Sequence, residues 1–126
     1  EVMQHFTSQG LQDFETPQAM SLQDIAQTQA DYAQAARNAI EAGFDGVQLH
    51  AANGYLPQQF LAESSNRRED AYGGSIAGRA RFTLEVMRSL IAAVGGARVG
   101  IKISPLLPYA GIAFDDPLAT YRHLLS

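Results

Sequence analysis

The 126-residue sequence contains no cysteine. This absence excludes disulfide bonds, thiolate metal sites and cysteine nucleophiles. No apolar stretch approaches the roughly 20 residues that a membrane-spanning helix needs, and no signal-like segment precedes the first polar residues. The sequence therefore predicts a cytoplasmic protein that does not interact with a membrane.

Positive charge is sparse and dispersed along the chain. Nine lysine and arginine residues stand against 13 aspartate and glutamate residues, which gives a formal net charge of −4. The longest basic run is the pair Arg67-Arg68, which is too short to hold nucleic acid or anionic lipid by electrostatic attraction. We therefore predict small molecules as ligands and no nucleic-acid partner.

Hydrophobic residues make up 46% of the chain, which is enough for one ordinary core and predicts a single domain. The chain begins at Glu1 without an initiator methionine and stops at Ser126 inside a predicted helix. We therefore expect that both ends are cut.

Helical and strand patterns alternate after the first 20 residues. Residues 1–20 have no sustained period and are interpreted as a loop or excursion. Ser21 and Asp24 are predicted to form a capping box at the start of the first helix, and Gly43 is predicted to end that helix. Ser75 is the predicted N-cap of the second helix. Asp116, which precedes Pro117, is the predicted N-cap of the third. A polar loop of about 20 residues is predicted between the first strand and the second helix. The predicted helices are 21–43, 75–96 and 115–126, and the predicted strands are 46–52 and 98–105.

The order helix, strand, helix, strand, helix is typical of βα units around a parallel sheet. Alternation places Gly46, Gln48 and His50 on one face of the first strand. The same alternation places Gly100, Lys102 and Ser104 on one face of the second. A polar face favours a barrel over an open doubly wound sheet, whose two faces are both apolar. The fold class is therefore α/β, with two to three βα units of a (β/α)8 TIM barrel.

A complete barrel of this kind takes about 250 residues. The missing strands must come either from the rest of a longer chain or from self-association of copies, because the edge strands would otherwise be exposed.

Three polar or aromatic side chains lie at or just after the end of the first strand, within the stretch "GVQLHAANGYLPQQF". His50, Asn53 and Tyr55 can all project from the carboxyl end of the strand, where TIM barrels place their chemistry. Individually they have ordinary explanations: a core histidine, an Asn-Gly turn and a packing aromatic. Together they offer two hydrogen-bond donors for one carbonyl oxygen and a phenol that can deliver a proton. No metal site is predicted.

The stretch "EAGFDGVQLHAANGYLPQQFLAESSNRREDAYGGSIAGRARFTLEV", continued by "VGIKISP", resembles the Old Yellow Enzyme family of flavin-dependent ene-reductases. That family includes N-ethylmaleimide reductases and 12-oxophytodienoate reductases. The resemblance covers residues 21–105 and includes, in order, the His-x-x-Asn-x-Tyr triplet, the loop "SNRRED-x-YGGS" and the helix start "R-x-RF". Residues 106–126 would form a loop and the start of the next helix.

The resemblance implies an FMN-containing barrel that reduces the C=C bond of an α,β-unsaturated carbonyl compound, with NAD(P)H as reductant. His50, Asn53 and Tyr55 match the substrate-binding residues of the family, and Tyr55 matches its proton donor. Lys102 stands where the family usually has an arginine beside the flavin. Lys102 and His50 are therefore the expected cofactor-binding residues.

The "SNRRED" loop carries further expectations. We expect Arg79 or Arg81 to pair with Asp70 or Glu69 and thereby hold the loop. Gly78 lies in the first turn of the second helix, where it is expected to cost about 1 kcal/mol relative to alanine.

Two alternatives remain open. The segments that build the flavin phosphate site in the family are not found in this sequence, so the chain is alternatively a catalytically silent partial barrel without flavin. A third hypothesis is a barrel lyase that uses Lys102 as a Schiff-base nucleophile.

Overall fold

The computed structural model describes residues 4–13, 15–106 and 110–126. It contains four strands, four α-helices and one short 3₁₀ helix within these ranges. The strands are β1 (Gln4–Thr7), β2 (Gly10–Asp13), β3 (Val47–Ala51) and β4 (Val99–Ile103). The α-helices are α1 (Leu22–Glu41), α2 (Leu56–Leu61), α3 (Ile76–Val94) and α4 (Pro117–Leu125), and the 3₁₀ helix is Gly96–Arg98.

Strands β3 and β4 pair in parallel, as predicted. The register places Val47 opposite Val99 and His50 opposite Lys102. Because both members of a register pair lie at the same level of the sheet, the two polar faces predicted from alternation are continuous. Within the described residues no third strand joins this pair, so they contain an α/β portion of a barrel without closure.

The helices cover the apolar side of this two-stranded sheet. Leu49 and Ala51 of β3 are buried in one cluster with Ile25 of α1 and with Phe82 of α3. Phe60 of α2 joins them, and its ring stacks on that of Phe82 with 4.2 Å between centroids. This packing keeps the apolar face of β3 against the helices and leaves its opposite face for polar residues. Among the described helices, none combines the length and the apolar character that a bilayer crossing requires.

The predicted helix boundaries agree with the structure where the caps were readable from the sequence. The Ser21 side chain accepts the Asp24 amide at 3.1 Å, and Asp24 accepts the Ser21 amide at 2.8 Å. The Ser21 hydroxyl also donates to the Asp24 carboxylate at 2.7 Å, and this bond, together with the one from the Ser21 amide, lowers the pKa of Asp24. Ser75 accepts the Gly78 amide at 3.1 Å, and Asp116 accepts the Ala119 amide at 2.8 Å. Each cap satisfies a backbone donor that the first helical turn leaves free.

Residues 1–20, interpreted as a loop or excursion, contain two short strands among the described residues. Strands β1 and β2 form an antiparallel hairpin in which Phe6 faces Leu11. Gly10 has a φ of +95°, and the Thr7 hydroxyl donates to its carbonyl at 2.9 Å. Strands of four residues are too short to show a clear period in the sequence.

The predicted polar loop after the first strand is also interrupted by a helix. Helix α2 spans only six residues and has Pro57 in its first turn, where a missing amide hydrogen does no harm. A helix of fewer than two turns gives little periodic signal. Its burial against α3 comes from tertiary contacts, with Pro57, Gln58, Phe60 and Leu61 all buried.

The predicted pairing of Arg79 or Arg81 with Asp70 or Glu69 is wrong. Arg79 is 5% exposed, pairs with Glu63, and donates to the carbonyl oxygens of Leu61 at 2.9 Å and of Gly74. Arg81 donates to the carbonyl of Ala71 at 2.9 Å. Helix α2 accounts for the difference, because it brings its own last carbonyl and the following Glu63 to the Arg79 guanidinium.

The expectation that Gly78 weakens α3 is likewise wrong. A Cβ atom at Gly78 would lie 2.1 Å from the carbonyl oxygen of Gly73. Real Cβ atoms essentially never approach another heavy atom within 3.0 Å. The turn that enters α3 therefore requires glycine at this position.

Asp70 instead pairs with Arg68, whose guanidinium donates to it at 3.0 and 2.6 Å. These bonds, with one from the Tyr72 amide, hold the pKa of the Asp70 carboxyl below its ordinary value. Arg68 also donates to the carbonyl of Met20 at 2.7 Å, which ties the loop to the start of α1.

Acid should weaken this contact. A carboxyl group whose folded pKa is lowered stabilises the fold above its unfolded pKa, and this contribution is lost as the pH falls through the folded pKa. We expect the unfolding temperature to fall more between about pH 6 and about pH 3 in the wild type than in Asp70→Asn. The exposed Asp115→Asn variant should follow the wild type. An identical pH dependence in all three proteins would contradict the prediction.

Candidate functional site

A tight turn follows β3 and carries two members of the predicted triplet, Asn53 and Tyr55, while His50 lies within β3. Asn53 has a φ of +55° and Gly54 a φ of +80°, and the Tyr55 amide donates to the Ala52 carbonyl at 3.1 Å. Positive φ at both central residues is typical of a type I′ turn, and Asn-Gly is the pair that tolerates it best. The turn reverses the chain and places Tyr55 at the start of α2.

The reversal brings Tyr55 back against His50. Their ring centroids lie 4.6 Å apart, with the planes inclined by 42°. Tyr55 is 59% exposed in the described structure, whereas His50 is half-buried. The structure therefore places two members of the triplet in direct contact, with Asn53 in the turn between them.

His50 retains unused hydrogen-bonding capacity. Its Nδ1 atom is buried and has no partner among the described residues. A buried ring nitrogen without a partner is costly, and such atoms in native structures often belong to functional sites. The His50 ring thus contacts Tyr55 and carries a buried nitrogen that no described residue satisfies.

Lys102 lies beside His50 on the neighbouring strand. The two residues are register partners, and the Lys102 side chain is exposed. This arrangement puts the only lysine of the chain on the polar face of the sheet, one strand away from the histidine. It does not bury the lysine in an apolar pocket, which is one environment that activates a Schiff-base nucleophile.

The three residues that support the turn were not predicted to have a role. Gln58, Ser104 and Tyr121 form a hydrogen-bonded network behind Asn53 and Gly54, with Gln58 fully buried. The sequence carries one signal for Gln58, which is a polar residue among the apolar positions of "LPQQFL". Ser104 lies on the predicted polar face of its strand, but nothing in the sequence connects it with Asn53.

The donor set suits a flavin better than a metal ion. The described residues contain no cluster of three or more histidine, aspartate or glutamate residues that could hold a metal. A free histidine nitrogen and an adjacent ammonium group fit the polar edge of a flavin ring, which presents hydrogen-bond acceptors and becomes anionic on reduction.

Comparison with known proteins decides the family. The model of the NADH:flavin oxidoreductase / NADH oxidase family matches residues 3–117. The chain belongs to this family. The match includes both barrel strands, the turn and most of the described helices, and it confirms the resemblance to Old Yellow Enzymes.

Relatives within the family are similar over most of the chain. Chanoclavine-I aldehyde reductase of Penicillium roqueforti is 53% identical over 112 residues, which are 89% of this chain and 30% of that protein. A probable flavin mononucleotide-dependent alkene reductase of Leishmania infantum is 51% identical over 115 residues, which are 91% of this chain and 32% of that protein. The chain thus spans about a third of the length of these relatives.

A solved structure supports the architecture. The old yellow enzyme homologue from Zymomonas mobilis superposes with a TM-score of 0.93 at 36% identity, covering 97% of this chain and 34% of that chain. The predicted fold class, a portion of a TIM barrel, is therefore confirmed.

Proposed function

We propose that this chain provides the substrate-binding and proton-donating part of an FMN-dependent ene-reductase. The substrate would be an α,β-unsaturated carbonyl compound, and NAD(P)H would be the reductant. The observation that carries the proposal is the contact between His50 and Tyr55 beside the Asn53 turn, in a chain of the flavin oxidoreductase family. Two relatives, chanoclavine-I aldehyde reductase and a probable flavin mononucleotide-dependent alkene reductase, are consistent with it.

His50 and Asn53 would bind the carbonyl oxygen of the substrate. Reduction of the conjugated double bond builds negative charge on this oxygen, and donors already in place stabilise that charge best. The left-handed conformation holds the Asn53 backbone in the turn, and the contact with Tyr55 restricts the His50 ring, before substrate arrives. FMN, when bound, would supply the hydride that adds to the β-carbon of the substrate.

Tyr55 would donate the proton to the α-carbon. Its ring is fixed by His50 on one side, while its exposure leaves the hydroxyl accessible to a substrate. A phenol is a weak acid that keeps its proton at neutral pH and can release it to a developing carbanion. His50 would serve in this arrangement as a hydrogen-bond donor and not as a base.

Lys102 and His50 would hold the flavin. The exposed ammonium group at the strand end would attract the negative charge of the reduced ring, and the register keeps it next to His50. Loss of this charge should weaken cofactor binding. We expect Lys102→Gln to raise the dissociation constant of reduced FMN about tenfold, as for the loss of one charge-assisted hydrogen bond.

Arg98→Gln is a matched control for this prediction. Arg98 is also exposed, but it precedes β4 and therefore lies at the opposite end of the strand. The control should bind FMN as the wild type does. Equal affinities of the wild type and Lys102→Gln would refute a contact between Lys102 and the flavin.

The first test of the function is a titration of the purified chain with FMN, in which flavin absorbance and fluorescence report binding. The intact mass and the molar mass in solution are measured on the same sample. One-to-one binding, with or without self-association, followed by NAD(P)H-dependent reduction of 2-cyclohexenone, would support the proposal. Flavin that remains free throughout would mean that the chain alone does not form the site.

The catalytically silent partial barrel is the second candidate, favoured by the two-stranded sheet in the described residues. To separate the two, the chain would replace the matching third of the Leishmania infantum relative. A folded chimera that binds FMN and reduces 2-cyclohexenone would exclude the silent alternative. A folded, flavin-loaded chimera without this activity would contradict the ene-reductase proposal. The cytoplasmic location stays a prediction.

A further inference from the structure

We propose that Gln58 is a positioning residue that holds the Asn53-Gly54 turn in its substrate-binding conformation and connects this turn to helix α4. The inference rests on the proposed function, because it assigns Asn53 to carbonyl binding. Gln58 itself would not touch the substrate, since its side chain is completely buried behind the turn.

The amide group of Gln58 is fully used. Its Oε1 accepts the Gly54 amide at 2.7 Å, and its Nε2 donates to the Tyr121 hydroxyl at 3.0 Å and to the Ser104 carbonyl at 3.1 Å. One side chain of helix α2 thus joins the turn after β3, the end of β4 and helix α4.

Ser104 completes the network from the other strand. Its hydroxyl accepts the Asn53 amide at 2.9 Å and lies 3.1 Å from the Nε2 of Gln58. Consequently, the backbone amides of Asn53 and Gly54 both donate to side chains of the same hydrogen-bonded network. Release of either amide without water access would leave a buried donor unpaired, which is strongly unfavourable.

The chemistry of this position requires glutamine. Oε1 must accept an amide hydrogen while Nε2 donates to a carbonyl oxygen, so a side chain with only acceptors or only donors cannot replace it. A glutamate would place an unpaired negative charge beside the Ser104 carbonyl. The dual role explains why a polar residue lies inside an otherwise apolar helix face.

Tyr121 extends the network away from the site. It is 4% exposed, lies in α4 and packs its ring 5.4 Å from that of Phe114. Because its hydroxyl contacts Gln58 and not the turn, removal of this hydroxyl affects Asn53 through the glutamine. This property makes Tyr121→Phe the more discriminating variant.

The test measures hydrogen exchange of individual amides by NMR in wild type, Gln58→Met and Tyr121→Phe. Gln58→Met keeps the side-chain length but removes both polar atoms. Tyr72→Phe is the matched control, because it also removes one phenol hydrogen bond, at 2.8 Å to Glu85, but has no bond to the turn. The amide of Val86 in the middle of α3 serves as the reference for global opening.

We expect the Gly54 amide to exchange about tenfold faster in Gln58→Met, relative to Val86, and about threefold faster in Tyr121→Phe. Tyr72→Phe should leave the ratio unchanged. Acceleration of all amides by the same factor in Gln58→Met and Tyr121→Phe, or no acceleration at Asn53 and Gly54, would overturn the proposal. If Gln58→Met does not fold, the exchange rate of the Gly54 amide in Tyr121→Phe, relative to Val86, tests the proposal by the same criteria.

Kinetics of the FMN-loaded form, either the chain or the chimera, then test the connection with substrate. We expect KM for 2-cyclohexenone to rise about tenfold in Gln58→Met while kcat falls less than about threefold, because the Tyr55 ring is held by its contact with His50. An unchanged KM in an active enzyme would overturn the substrate-positioning role. Inactivity of the wild-type protein would contradict the proposed function, whereas the exchange data would still decide whether Gln58 holds the turn.

Discussion

Replacement of Tyr55 by phenylalanine is expected to lower kcat for 2-cyclohexenone reduction about 10²- to 10⁴-fold, the usual contribution of a general acid. The phenyl ring can keep its 4.6 Å contact with His50, so the substitution removes the proton donor and little else. KM should therefore change much less than kcat. Steady-state kinetics of the FMN-loaded protein at saturating NAD(P)H would measure both constants.

Tyr32→Phe provides a control for this substitution. Tyr32 lies in α1 among the residues packed on the apolar cluster, away from the turn. Its loss of a hydroxyl should not alter kcat. If Tyr55→Phe retained wild-type kcat, another group or water would have to supply the proton, and the role of Tyr55 would be refuted.

The substitution Gly78→Ala is expected to produce a large loss of stability. The added methyl group would lie 2.1 Å from the Gly73 carbonyl oxygen, and neither position can move without displacing the turn into α3. Overpacking against backbone typically costs up to about 3 kcal/mol, which is a large part of the stability of a small domain. Urea unfolding followed by circular dichroism would measure the loss.

Gly96→Ala is the matched control. A Cβ atom there would have only the Ile91 Cγ2 atom nearby, at 3.8 Å, which is an ordinary contact. The control should be neutral or stabilise the fold by up to about 1 kcal/mol, because alanine restricts the unfolded chain. Equal stability of the two variants would mean that the Gly73 carbonyl can move away at little cost.

The features predicted correctly are those encoded within a few residues. Ser21, Ser75 and Asp116 mark the starts of helices because each cap bonds to the amide three positions ahead. The alternation of side chains along β3 and β4 also predicts the polar face from residues that lie close together in sequence. The site triplet was recognisable because its members lie within six positions of one another.

The features that were missed depend on contacts between distant parts of the chain. The partner of Arg79 could not be chosen without helix α2, whose six residues form because Phe60 and Leu61 pack on the core. Helix propensity alone predicts a cost for Gly78, yet the Gly73 carbonyl in the preceding turn leaves no room for a side chain at this position. Likewise, Gln58 reaches Tyr121 across 63 positions, a relation that no local pattern contains.

The parallel register has a consequence for how this site can change. His50 and Lys102 are far apart in sequence, yet backbone hydrogen bonds set them one strand spacing apart, about 4.8 Å. That spacing is a property of the main chain, so side-chain substitution at either position alters the chemistry without altering the distance. A one-residue insertion in either strand acts in the opposite way, because it rotates every following side chain to the other face. The chemistry of the site can therefore change by substitution at these positions, whereas a one-residue insertion in either strand would disrupt the site.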